Sequence, residues 1–172
     1  NYADSKERIY GNSDVAGPDA THGTHVSGII AASRSGSASM LGIADQAHIM
    51  AIRVVPDGDE RDKDVANGIR YATDNGAKVI NMSFGKGYAW DKKAVNEAVQ
   101  YALSKDVLLI HAAGNDGKDT DLESNFPNRR FVDSLATVAK GLPDAWIEVG
   151  ASGWKDDDDL IASFSNYGKK SV

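Results

Sequence analysis

The sequence predicts an α/β fold: a three-layer, open, mostly parallel sheet with helices on both faces. Two observations carry this. Three short, nearly continuous apolar runs rich in β-branched residues, HIMAIRVV (48–55), KVINMSF (78–84) and VLLIHAA (107–113), suit strands buried on both faces of a sheet. Two amphipathic segments alternate with them, and a β-α-β-α-β series with right-handed crossovers builds a parallel sheet flanked by helices.

The elements follow in order. NYADSKERIYGNSD opens as a polar loop, and THGTHVSGIIAAS (21–33) then runs two histidines into a small, apolar stretch that reads as a helix start. SRSGSAS (33–39) is a short flexible loop. After the first apolar run, DKDVANGIRYATDNG repeats Val65, Ile69 and Ala72 at helical spacing, with Asp62 or Asp64 to cap its start and Gly76 to stop it. Between the second and third runs, Ala94, Val95, Ala98, Val99, Ala102 and Leu103 form a stripe, with Asp91 placed as the cap. WIEVGAS (146–152) and ASFSNYG (162–168) read as two further short strands, separated by the charged loop GWKDDDD. In an open parallel sheet, ligand chemistry gathers at the carboxyl ends of strands. Those ends carry NMSFG and AAGNDG, small, polar and glycine residues where backbone turns tightly or approaches a ligand.

At 172 residues the chain reads as a single domain, 1–172, long enough to bury roughly 70% of its unfolded surface. It has no cysteine, which excludes thiol catalysis and thiolate metal sites but leaves the compartment open. A net charge of −6 argues against nucleic acid, which needs a basic face to displace counterions. No apolar run is long enough to span a bilayer, so no membrane partner is expected. The abrupt start, and an end at NYGKKSV that turns apolar as if a strand began, predict a sheet incomplete at both ends.

His22 and His25 stand three apart with Gly and Thr between them, whereas helical zinc motifs space histidines by four and include a glutamate. No metal ligand is assigned. Asp156 to Asp159 lack EF-hand spacing and read as a solvated loop. Taken alone, HGTH reads equally as a hydrogen-bonded helix start, and AGND as a turn.

Together the motifs say more. HGTHVSGIIAA, KVINMSFG and AAGNDG, in that order and at their spacing, resemble the histidine, substrate-strand and oxyanion segments of the subtilisin-like serine proteases. VGAS and ASFSNYG resemble segments preceding the family's nucleophile, so the likeness runs from about Asp19 to Gly168. The resemblance implies an endopeptidase acting through an acyl-enzyme on peptide or protein substrates, secreted or extracytoplasmic and bacterial in type. It makes His22 the general base and His25 structural, lets Gly23 bring the helix start close to the sheet, and has Val26, Ile29 and Ile30 bury the helix behind it. Asn115 matches the oxyanion asparagine. Ser83, Phe84 and Gly85 match the backbone that pairs with substrate, and Ala112, Ala113 and Gly114 the opposite pocket wall, small enough to leave room for a large side chain. The loop Asp57 to Asp64 matches the second rail for the peptide, where its acidity would favour basic residues; otherwise it is a solvated turn capping the next helix. No cofactor is required. Calcium, a structural ion in the family, often sits near the loop matching SRSGSASMLG, which here shows no carboxylate cluster.

Two parts of the family pattern are missing. Its aspartate ends an apolar strand before a glycine, and Asp4, Asp14 and Asp19 lack that setting. Its serine lies in a Gly-Thr-Ser segment, and neither that nor G-x-S-x-G occurs. The 172 residues are therefore expected to be inactive alone, and to self-associate through sheet surface that the missing elements would cover. The rivals are a non-catalytic, peptide-binding relative and a metal-dependent hydrolase using His22 and His25.

Overall fold

A computed structural model describes residues 11–35, 40–128, 145–154 and 160–172. The chain divides into two compact units, Asn1–Arg53 and Val54–Val172.

In the first unit the small-residue run forms helix α1, Thr21–Ala31. Gly42, Ile43 and Ala44 double back so that their N–H groups donate to the carbonyls of Ala32, Ile29 and Ile30, satisfying acceptors that a helix end leaves open. Gly42 is required there, because a Cβ would lie 2.3 Å from the Ala32 nitrogen. Of the apolar residues of α1, Val26 and Ile30 are half-buried and Ile29 is exposed. No described strand lies within this unit for its apolar side to pack on.

The second unit holds α2 (Asp62–Asp74), β1 (Val79–Met82), α3 (Lys92–Ser104), β2 (Leu108–Ala112) and β3 (Trp146–Val149). The strands pair in parallel in the order β1-β2-β3, with Met82 opposite His111 and His111 opposite Glu148. This is the predicted α/β architecture. Val65 and Ile69 of α2 and Val95, Ala98, Val99, Ala102 and Leu103 of α3 pack in one cluster with Met82, Leu109 and Trp146. Alternation then turns Val79, Ile147 and Val149 to the more exposed face, so the described strands are buried on one face rather than both.

Both helix stops use the same device. Gly76, at φ 86°, lets Ala77 N–H reach Ala72 O while its own N–H reaches Thr73 O. Asp106, at φ 60°, does likewise for α3, with Val107 N–H on Ala102 O and Asp106 N–H on Leu103 O. Asp91 caps α3 as expected, accepting from Ala94 N–H. For α2, by contrast, the side chain of Arg61 at the cap position makes no capping bond, and Asp62 and Asp64 lie in the first turn.

Two predicted strands do not form. HIMAIRVV makes no ladder, because no described segment pairs with it, and a strand exists only through its partner. ASFSNYG makes an isolated bridge, Asp119 to Tyr167, rather than a ladder, because most of its backbone hydrogen bonds go to the loop after β2 instead.

Candidate active site

In the first unit, His22 is the second residue of α1 and is exposed. The approach to it is shaped by two carboxylates: Asp14 accepts from Gly17 N–H and Asp19 from Thr21 N–H, each at 2.8 Å. The Thr21 N–H and then its hydroxyl hold Asp19 below the usual carboxylate range. Both aspartates thus serve local turns; Asp4 lies outside the described residues. His25 is exposed too and has no hydrogen-bond partner among the described residues, so nothing there supports the structural role expected of it.

In the second unit, the carboxyl ends of β1 and β2 carry the other candidates. Ser83 and Phe84 are half-buried and Gly85 is exposed. The Ser83 hydroxyl accepts from the Asn81 amide at 2.8 Å. Among the described residues Phe84 and Gly85 make no backbone hydrogen bond. Beyond them, Lys86 and Phe126 exchange backbone bonds, tying the wall to the segment before Pro127.

Facing this wall, Ala112 is half-buried, Ala113 is fully buried and Gly114 adopts φ 107°. Asn125 joins the two sides. Its Nδ2 donates to Ala112 O and Ala113 O, both at 3.0 Å, and a Cβ on Gly85 would lie 2.6 Å from its amide. A Cβ on Gly114 would lie 3.3 Å from the same Nδ2. The small walls expected to leave room for a large side chain are therefore bridged by a polar amide.

Asn115 follows Gly114, is exposed, and its amide has no hydrogen-bond partner among the described residues. Its neighbours are all held. Asn166 Oδ1 accepts from Asp116 N–H and Lys118 N–H, both at 3.0 Å, while its Nδ2 donates to Ala113 O at 2.8 Å.

Behind the walls lies a buried polar group that the apolar run concealed. The His111 side chain is fully buried, its Nδ1 donating to Glu148 Oε1 at 2.7 Å, and Trp146 Nε1 donates to Glu148 Oε2 at 2.8 Å. Phe84 meets the His111 ring edge-on, with centroids 6.5 Å apart.

The acidic loop 57–64 is exposed at residues 57–59, whereas Glu60 and Asp62 are buried. Asp62 and Lys86 are both about nine-tenths buried and paired at 2.7 Å, and Lys86 also donates to Glu60 O. Burial opposes ionisation of Asp62, but Lys86 and the Asp91 N–H outweigh it and lower its pKa. Glu60 is buried, its Oε1 has no partner among the described residues, and desolvation raises its pKa. These groups line a shallow pocket with Val65, Phe126 and Pro127, their charge largely spent within it.

No three His, Cys, Asp or Glu side chains gather as a metal would need among the described residues. Asp156–Asp159 and residues 36–39 of the loop matched to calcium lie outside them. No described helix is long and apolar enough to cross a membrane.

The sequence motifs single out His22, the two walls and Asn115 as candidates, while Asn125, Asn166 and the His111–Glu148 pair escape them. A polar residue at buried parity in each of two neighbouring strands is the signal that could have found the last.

Comparison with known proteins supplies an independent finding. A model of the subtilase family, Peptidase_S8, matches residues 1–171. Thermitase from Thermoactinomyces vulgaris is 34% identical over 98% of this chain and 55% of its own length. The cell wall-associated protease of Bacillus subtilis (strain 168) is 36% identical over 96% of this chain and 16% of its own length. Among solved structures, the patellamide maturation protease PatA superposes with a TM-score of 0.64 at 32% identity, covering 92% of this chain and 52% of that one. A cold adapted subtilisin-like serine proteinase gives 0.62 at 29% identity, covering 86% and 45%. The chain therefore spans about half or less of the length of these relatives.

Proposed function

The chain belongs to the subtilase family, and on that premise we propose that it supplies two working groups of a serine endopeptidase, the base His22 and the oxyanion donor Asn115. In that reading His22 takes the proton from a serine hydroxyl as the hydroxyl attacks the scissile carbonyl, then returns it to the leaving amine. The Asn115 amide donates to the oxygen that becomes negative in the tetrahedral intermediate. Substrate lies extended along Ser83, Phe84 and Gly85, exchanging backbone bonds, with Ala112, Ala113 and Gly114 opposite. The observation that carries this is the unpartnered Asn115 amide, held beside a wall whose Phe84 and Gly85 backbone groups are equally unpartnered among the described residues.

The nucleophile and the aspartate behind His22 are assigned to segments other than these 172 residues, since the chain has no Gly-Thr-Ser. An extracytoplasmic location is part of the reading, supported by likeness to a cell wall-associated protease. The test is labelling with a serine-directed fluorophosphonate. A full-length protein carrying this chain should be labelled and hydrolyse peptides, and the 172 residues alone should do neither. Labelling of the 172 residues would place the nucleophile inside them. A full-length protein that binds peptides without being labelled would make it the non-catalytic relative, and loss of hydrolysis on chelation without labelling would favour the metal-dependent rival.

A further inference from the structure

We propose that Asn166 is a positioning residue for Asn115, holding the loop that aims the oxyanion donor; this rests on the reading of Asn115 given above. Asn166 comes from ASFSNYG, some 50 residues along the chain from the loop it holds, and only 3% of its surface is exposed. Its partners fix the amide's orientation: two N–H groups, of Asp116 and Lys118, require an oxygen, and Ala113 O requires the NH2. Its backbone N–H donates to Gly114 O at 2.9 Å. The flanking residues continue the clamp, with Gly117 N–H on Phe164 O and Tyr167 N–H on Lys118 O. Ala113, Gly114, Asp116, Gly117 and Lys118 are thus all tied to residues 164–167, and in that run Asn115 alone has no partner among the described residues.

The contact is close enough to dictate sequence. A Cβ on Gly114 would lie 2.3 Å from Asn166 Nδ2, and Gly114 also sits at φ 107°, so glycine is the residue that admits this amide. An oxyanion donor works only if aimed at the charge before it develops, so that no reorganisation is needed at the moment of reaction. Asn115 has no side-chain bond among the described residues, and its aim follows from its backbone. Asn166 sets that backbone from both sides.

The experiment is a double-mutant cycle on hydrolysis by a full-length protein carrying this chain, with kcat and KM measured separately. Asn115→Ala should lower kcat about 10²–10³-fold with little change in KM, the magnitude that loss of the corresponding donor has in a subtilisin. Asn166→Leu, similar in volume and without hydrogen bonds, should lower kcat by roughly tenfold or more with KM nearly unchanged, and should cost almost nothing further once Asn115 is alanine. If Asn166→Leu does not fold, Asn166→Asp carries the test: it keeps both acceptor bonds, loses the bond to Ala113 O, and should give a smaller kcat loss that also vanishes in the Asn115→Ala background. An equal loss in both backgrounds, a loss confined to KM, or unchanged kcat in the Asn166 variants overturns the proposal and leaves Asn115 in its role. A wild-type protein without activity, or an Asn115→Ala variant with undiminished kcat, overturns the underlying reading and this proposal with it.

Discussion

Three asparagines near one strand end carry different tasks, and their hydrogen bonding distinguishes them. Asn125 and Asn166 spend their amides on backbone carbonyls and N–H groups, whereas Asn115 spends none on any described residue. The motif AAGNDG points to Asn115, but nothing local marks the other two, because their partners lie 12 to 53 residues away. Glu60 gives a prediction at this scale. Desolvation by burial raises its pKa in the folded protein. The folded state then holds its proton more tightly than the unfolded chain, so stability falls as pH rises from about 4.5, the group's ordinary value, until the raised value is passed. Glu60→Gln should therefore melt higher than the parent at neutral pH and show no charge-dependent gain below about 4.5. Thermal melts across that range would check it, and a Glu60→Gln protein less stable at neutral pH would contradict it.

At the scale of elements, α2 and α3 were legible because an amphipathic repeat needs only one apolar neighbour to be satisfied, and both found it in each other and the sheet. Their stops were legible where glycine marked them: Gly76 is where the sequence puts it, while the equivalent position after α3 is Asp106 and carries no such mark. A non-glycine residue in the left-handed region costs about 1–2 kcal/mol. Asp106→Gly should accordingly stabilise the protein by about 1 kcal/mol, raising Tm by roughly 2–4 °C. Unchanged or lower Tm would mean that the aspartate makes a compensating contact. HIMAIRVV illustrates the opposite case. Its composition is that of a strand, but composition cannot supply a neighbour, and its described residues are mostly exposed.

At the scale of the molecule, the described sheet buries one face against α2 and α3 and leaves Val79, Ile147 and Val149 about half exposed on the other. Apolar surface of this kind favours association. The 172 residues alone are expected to form oligomers, with an apparent mass by light scattering that grows with concentration. A constant monomer mass across that range would refute this, and charged replacements at Ile147 and Val149 should reduce any association that occurs.

What the sequence determined by itself was whatever repeats or clusters along the chain. It set the alternation that makes an α/β fold, two helices with one of their stops, and the motif residues His22, Ser83 to Gly85, Ala112 to Gly114 and Asn115. Only the tertiary structure decided which apolar runs acquire strand partners, that His111 and Glu148 meet across β2 and β3, and that Asn125 and Asn166 hold the walls around Asn115. The physical reason is common to all three: a buried polar group or strand edge must find its hydrogen bond in space, and the partner's distance along the chain is set by topology rather than by local pattern.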